Sequence, residues 1–195
     1  VLLAIFPFIA RGFMRSLEQR KLYRGYKKPK KFDTNLIVIG AGSGGLVSAY
    51  IAATLKAKVT LIEKAQMGGD CLNTGCVPSK ALIRAAKSMA EIKKASELGI
   101  NVAAPEVDFA KVMGRVQEVI KTIEPHDSVE RYTGLGVDCV SGHARLVSPW
   151  IVEVDGCEIS AEKIILATGA SPIVPPIPGL DQVGPLTSEN LWQLD

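Results

Sequence analysis

The segment "NLIVIGAGSGGLVSAYIAATLKAKVTLIE", residues 35–63, sets the architecture of this 195-residue chain. It begins with a continuous apolar run rich in β-branched residues, which is typical of a strand buried on both faces. The run leads into a GxGxxG turn formed by Gly40, Gly42 and Gly45, and then into a helix-forming segment of small residues. A second apolar run ends at Glu63. This order of strand, turn, helix and strand predicts a βαβ unit in an α/β fold with a parallel sheet.

The βαβ unit also predicts a dinucleotide site. Gly40 would permit the tight turn, Gly42 would let the backbone approach a pyrophosphate, and Gly45 would let the helix close on the strand. The helix N-terminus would present N–H groups and the positive end of its dipole to the anion. Glu63, about twenty residues beyond the glycines, is placed to accept hydrogen bonds from an adenosine ribose. A glycine-rich turn that arose by chance would not need a strand before it and a helix, a second strand and an acidic residue after it. Their presence in this order favours a dinucleotide site.

The second informative segment, "GGDCLNTGCVPSK", spans residues 68–80 and contains two cysteines. Because proline is tolerated only in the first turn of a helix, Pro78 predicts a helix that begins close to Cys76. Five residues of regular helix advance about 7.5 Å, whereas the Cα atoms of a disulfide lie roughly 4.4–6.8 Å apart. Cys71 and Cys76 can therefore meet only if the residues between them loop. A bridge there would be reducible, and the helix dipole and Lys80 would stabilise the released Cys76 thiolate.

Three uses of the cysteine pair can be compared: a metal site, a structural disulfide and redox chemistry. Zinc sites usually combine CxxC pairs with two further ligands, whereas Cys139, Cys157, His126 and His143 are scattered, so no metal site is expected. A structural disulfide closing so small a loop would be unusual in a reducing compartment, which the four unevenly placed cysteines favour. Redox use is the favoured hypothesis. We expect Cys139 in the core, Cys157 in a turn, and His126 solvated or capping a helix.

The middle of the chain predicts further helix and strands without adding chemistry. A helical stripe of apolar residues is expected to face the core, namely Phe109, Val112, Val116, Val119, Ile120 and Ile123. Pro125 should interrupt or restart this helix. The segments "GVDCVSGHARLV", "WIVEVDG" and "CEISAEKIILATG" are then predicted to be strands joined by tight turns.

"GAGSGG", "GGDCLNTGCVPSK" and "IILATGASPIVPPIPG" occur in the order and approximate spacing of the class I pyridine nucleotide-disulfide oxidoreductases. That family includes dihydrolipoamide dehydrogenase, glutathione reductase and mercuric reductase, and the sequence resembles it over residues 35–195. The resemblance implies a Rossmann-like FAD-binding domain with a parallel sheet, helices and a small antiparallel β element. It also implies that the chain is truncated before the NAD(P)-binding and dimerisation domains.

The resemblance further implies an electron path. NAD(P)H would reduce FAD, FAD would reduce a Cys71–Cys76 disulfide, and the resulting dithiol would reduce a small-molecule or protein disulfide. Cys76 would lie nearest the flavin, Cys71 would attack the substrate, and Lys80 would lie near the flavin ring. The catalytic residues are then Cys71 and Cys76, and the cofactor-binding residues are Gly40, Gly42, Ser43, Gly44, Gly45, Glu63, Lys64, Gly69, Cys71, Lys80, Gly142, Ala144, Ala167, Thr168 and Gly169.

The N-terminal 31 residues differ in composition from the rest. They carry a charge of +8 within a chain of net charge +3, and no basic patch recurs downstream as a nucleic-acid-binding face would require. The run "VLLAIFPFIA", residues 1–10, is too short to span a bilayer and lacks the features of a signal peptide. Since the sequence begins with Val, we expect this run to end a longer transmembrane segment. The positive-inside rule then places the domain at the cytoplasmic face of a membrane.

Two alternatives for this leader stay open: an amphipathic helix over residues 11–26 lying on anionic lipid, or a disordered tail. The expected domain plan is a membrane-proximal segment over 1–31, an FAD-binding domain over 32–185, and over 186–195 the start of a connector to an absent NAD(P)-binding domain. We expect such a chain not to turn over NAD(P)H by itself, and the full-length protein to form a homodimer.

The substrate is the least determined feature. Asp70 replaces the Thr or Val that often precedes the first cysteine in lipoamide and glutathione enzymes, and a carboxylate there would disfavour the neighbouring thiolate. This difference favours a mercuric-reductase-like branch that includes members fused behind a SNARE-associated (VTT-type) membrane domain. Two other functions stay open: a flavoprotein that reduces a quinone or metal ion without dithiol exchange, and a non-catalytic FAD-binding module.

Overall fold

The computed structural model describes residues 10, 11, 13, 14, 16–18 and 21–194. Its strands are β1 (Thr34–Ile39), β2 (Val59–Glu63), β3 (Val137–Ser141), β4 (Ala144–Ser148), β5 (Ile151–Val154) and β6 (Cys157–Leu166). From Thr34 onward, its α-helices are α1 (Ser43–Thr54), α2 (Gly69–Asn73), α3 (Cys76–Lys94), α4 (Phe109–Ile123) and α5 (Val129–Gly134). The predicted membrane segment over residues 1–10 lies almost wholly outside this part of the chain. Within it, no helix has the length and apolar character needed to cross a bilayer.

The six strands form one sheet in the order β3-β2-β1-β6-β5-β4. β1 pairs in parallel with β2 and β6, and β2 pairs in parallel with β3, whereas β4, β5 and the first part of β6 are antiparallel. β6 changes partner along its length: Cys157 to Ser160 pair with β5, and Ala161 to Leu166 pair with β1. The predicted α/β fold with a parallel sheet and a small antiparallel element is therefore confirmed.

β1 is buried on both faces, as its continuous apolar run predicts. Val38 packs in a cluster that includes Leu46 and Ala49 of α1. Ile37 and Ile39 belong to a second cluster with buried residues of β5 and β6. Because alternate residues of β1 join different clusters, this one strand links the helical layer to the antiparallel element.

Two expectations for the middle of the chain are wrong. Phe109 and Ile123 stay 43% and 36% exposed, because the cluster that α4 forms around the buried Met113 and Val116 lies between its two ends. Cys157 is the first residue of β6 and follows the turn rather than occupying it. The other expectations hold: a 3-10 turn that contains Pro125 follows α4, and Cys139 packs against the core from β3.

Candidate functional site

The glycine-rich turn after β1 has the geometry that its sequence predicts. Gly40 has φ +101°, which disfavours a side chain, and its Cα hydrogens lie against the backbone of Ala167. Gly45 packs directly onto the carbonyl of Gly40, so that α1 closes against the turn. α1 begins at Ser43 with no acidic residue in its first turn, and its N-cap Gly42 makes no side-chain capping bond. The positive end of this twelve-residue helix is therefore available to an anion.

Glu63 ends β2 beside this turn. Its carboxylate accepts hydrogen bonds from the backbone N–H groups of Ala41 at 2.6 Å and Ala65 at 2.8 Å. Each carboxylate oxygen has a second lone pair, so the group can still accept from a ribose hydroxyl. Glu63 thus braces the glycine-rich turn from the neighbouring strand, a structural role that its spacing in the sequence did not reveal.

The turn and Glu63 line one wall of a cleft of about 810 Å³, within the range of about 300–1,000 Å³ common for ligand sites. The carboxyl ends of β1, β2, β3 and β6 converge there, as parallel strands require. The predicted site residues that line the cleft are Gly40, Gly42, Ser43, Gly44, Glu63, Lys64, Gly69, Cys71, Gly142, Ala144, Ala167, Thr168 and Gly169. Among the described residues, Gly45, Cys76 and Lys80 do not line it. The binding roles of all these residues stay predictions.

Several cleft residues were not predicted from the sequence. Most of them lie within two residues of a predicted position, and several lie inside the quoted motifs, namely Ala65, Gln66, Asn73, Thr74, His143, Ala170 and Ser171. Glu189 also lines the cleft, although it lies in a distant segment and no local signal points to it. His126, by contrast, is exposed, and its backbone carbonyl accepts a bond from the side chain of Arg131.

The two cysteines lie on either side of a helix break. α2 ends at Asn73 and α3 begins at Cys76, while Thr74 and Gly75 leave helical geometry between them. This confirms both the predicted helix start and the predicted loop. Cys71 is half-buried in the cleft wall, Cys76 is exposed in the first turn of α3, and both are free thiols.

The Cys76 side chain has the largest effect on the pKa of the Cys71 thiol. Hydrogen bonding with Cys76 raises the pKa of the Cys71 thiol, burial adds to the increase, and the positive charge of Lys80 opposes it. Asp127 also raises this pKa, although the sequence did not connect Asp127 with the pair. This effect requires the two side chains to lie close together although the residues are five positions apart, and it favours the protonated form of Cys71.

Comparisons with known proteins agree with this site. The family profile described as pyridine nucleotide-disulphide oxidoreductase matches residues 34–194. Mercuric reductase of Bacillus cereus is 37% identical over 163 residues, which are 84% of this chain and 26% of that protein. Dihydrolipoyl dehydrogenase of Acholeplasma laidlawii is 37% identical over 152 residues, covering 77% and 45% of the two chains. Glutathione reductase of Burkholderia cepacia is 33% identical over 176 residues, covering 85% and 36%.

A solved structure gives the same result. The Cu(II) complex of the HOCl-induced flavoprotein disulfide reductase RclA from Escherichia coli superposes with a TM-score of 0.67 at 29% identity. The match covers 82% of this chain and 34% of that one. This chain thus spans less than half the length of each of these four proteins. Members of the matched family use FAD and NAD(P)H. The chain described here belongs to the pyridine nucleotide-disulphide oxidoreductase family.

Proposed function

We propose that the whole protein is an FAD-dependent NAD(P)H:disulfide oxidoreductase whose redox-active pair is Cys71 and Cys76. One observation carries this proposal: Cys71 lines the same cleft as the glycine-rich turn and Glu63, and the Cys76 side chain has the largest influence on the pKa of Cys71. A site for a dinucleotide and a dithiol therefore share one wall. The similarity to relatives named mercuric reductase, dihydrolipoyl dehydrogenase and glutathione reductase supports the reaction class.

The residues of the cleft fit FAD. Gly69 has φ +53°, and a Cβ there would lie 2.6 Å from the Cα of Gly42, so the two glycines form a narrow backbone cradle beside the N-terminus of α1. The α1 terminus would hold the pyrophosphate and Glu63 the ribose, and the flavin ring would lie toward the cysteine pair. When bound, FAD supplies two-electron transfer between a nicotinamide and a disulfide.

The cysteine pair itself performs thiol–disulfide exchange. The Cys71 thiolate attacks one sulfur of a substrate disulfide, forms a mixed disulfide and releases the other substrate sulfur, which takes up a proton. The Cys76 thiolate then attacks the Cys71 sulfur, which releases the second substrate thiol and leaves a Cys71–Cys76 disulfide. Lys80 favours this chemistry because its charge opposes the rise in the pKa of Cys71 that Cys76 and burial cause. Asp70 favours the mercuric-reductase-like branch of the family, whereas the substrate that we propose is a disulfide rather than a metal ion.

The proposal is tested by an assay of the whole protein with FAD. Addition of NADH or NADPH together with a small disulfide is expected to consume the nucleotide and to release two thiols for each molecule oxidised. Consumption without thiol release, with a quinone or metal ion as the acceptor instead, would contradict it.

We also propose that the protein acts at the cytoplasmic face of a membrane, as a homodimer. Two features support membrane association. Large apolar side chains are exposed within the basic leader, namely Phe13, Met14, Leu17 and Leu22. The last part of the leader, a linker over residues 23–31, packs on the antiparallel element. The ring centroids of Tyr23 and Trp150 lie 5.0 Å apart there, and the Lys28 ammonium lies over the same indole. A preceding VTT-type membrane domain would suit such a fixed linker.

Vesicle binding checks the membrane proposal. The protein is expected to sediment with vesicles rich in phosphatidylserine and to bind neutral phosphatidylcholine vesicles much more weakly, since each basic residue near an anionic surface contributes about 1 kcal/mol. Leu17→Glu should reduce the binding, whereas Leu98→Glu, a matched change at an exposed leucine outside the leader, should not. Equal binding to both lipids, or equal effects of the two substitutions, would refute the proposal.

A further inference from the structure

The carbonyl of Thr74, two residues before α3 begins, receives no backbone donor from that helix. In α3, the N–H of Ser79 donates to the carbonyl of Gly75 at 3.0 Å. The equivalent donor for Thr74 would be the N–H of residue 78, but Pro78 has none. Thr74 lies at the break between the two cysteines. Its N–H donates to the carbonyl of Asp70 at 3.0 Å, so its carbonyl is the group of this residue that still needs a partner.

The indole of Trp192 supplies this missing donor. Its Nε1–H lies 2.8 Å from the carbonyl oxygen of Thr74, across 118 positions of sequence, and is shared with the carbonyl of Ser188 at 2.8 Å. Trp192 is the only tryptophan besides Trp150, and the segment that carries it is otherwise distant from the cysteine motif in sequence.

The indole is held firmly in place. Trp192 is 9% exposed and belongs to a buried cluster with Ala81 of α3 and with Met113 and Val116 of α4. Its backbone carbonyl accepts a hydrogen bond from the side chain of Gln117 at 3.0 Å. The ring can therefore act as a rigid support for the loop rather than as a mobile neighbour.

We propose that Trp192 is a positioning residue for the cysteine pair: by holding the Thr74 carbonyl, it keeps the loop in the conformation that brings Cys71 and Cys76 together. The inference rests on the proposed function of the pair. A continuous helix through residues 71–76 would separate the two Cα atoms by about 7.5 Å along its axis alone, beyond the reach of a disulfide. Without the indole donor, the loop gains conformations in which the sulfurs are apart. The dithiol gains more of this freedom than the closed disulfide, so disulfide formation becomes less favourable.

The test compares Trp192→Phe with Trp150→Phe. Each change removes an indole N–H and keeps an aromatic ring, but Trp150 packs near Tyr23 on the antiparallel element. The protein is equilibrated in glutathione redox buffers, and thiols at Cys71 and Cys76 are trapped and quantified by mass spectrometry. Trp192→Phe is expected to lower the equilibrium constant for closing the disulfide roughly tenfold, which equals about 30 mV. Trp150→Phe should leave the constant within about twofold of wild type.

A second variant keeps the inference testable. If Trp192→Phe does not fold, Gln117→Leu removes the hydrogen bond to the backbone carbonyl of Trp192, which loosens the same indole and should shift the constant in the same direction. An unchanged constant in Trp192→Phe, or in Gln117→Leu where that replaces it, would overturn the inference, as would equal shifts in both tryptophan variants. A wild-type protein that never forms the disulfide would instead refute the proposed function.

Discussion

Gly45→Ala is expected to lower the free energy of unfolding by about 3 kcal/mol, whereas Gly44→Ala should change it by less than about 1 kcal/mol. The Cβ of alanine at position 45 would lie deep inside the van der Waals radius of the Gly40 carbonyl oxygen. Backbone on both sides of this contact cannot rotate away, as a side chain could. α1 must therefore move off the turn that carries the cleft, and FAD binding should be lost as well.

Gly44 is the matched control because it lies next to Gly45 in the same helix turn with no atom within 4 Å of its added Cβ. Alanine there gains helix propensity without a clash. Urea unfolding of the two variants measures the difference. Similar free energies for both would show that α1 does not close on the turn as described.

Cys71→Ser is expected to abolish disulfide reduction by the FAD-loaded protein while reduction of the flavin by NAD(P)H persists. A serine hydroxyl does not ionise in the range where thiols exchange, and oxygen cannot form the mixed disulfide with substrate. Loss of activity should be complete within the sensitivity of an assay that follows substrate thiols. Cys157→Ser is the control, since Cys157 is exposed at the start of β6 and does not line the cleft.

This variant also separates the possible functions. A flavoprotein that passes electrons directly to a quinone or metal ion would keep its turnover in Cys71→Ser. Such a result would contradict electron transfer through the dithiol. The dinucleotide site would then be the only part of the proposed function still supported.

The features predicted correctly from sequence are those with a local cause. Pro78 fixes the start of α3, because proline is compatible only with the first turn. The glycine-rich turn and Glu63 follow from the order of strand, helix and strand, since each part has a defined role at fixed spacing. The strands of the antiparallel element follow from short apolar runs with intervening turns, whereas their antiparallel pairing was expected from the family resemblance.

The features that were missed depend on contacts distant in sequence. Glu189 reaches the cleft and Trp192 reaches the cysteine loop only because residues 187–194 fold back against α3 and α4. No apolar periodicity or motif in the sequence indicates that residues 187–194 pack against these helices. The exposure of Phe109 has the same origin, since an apolar stripe shows which face of a helix can be buried but not how far along it the partner extends.

Anaerobic reductive titration of the FAD-loaded protein, with trapping of thiols at each step, measures whether Cys71 and Cys76 form a disulfide that takes electrons from the flavin. If they do, the oxidised protein takes up about twice as many electrons as its flavin alone can hold, because the disulfide is a second two-electron acceptor. Mass spectrometry then finds new thiols at these two positions. Uptake limited to the flavin, with thiols present at both positions throughout, would contradict the redox role of the pair.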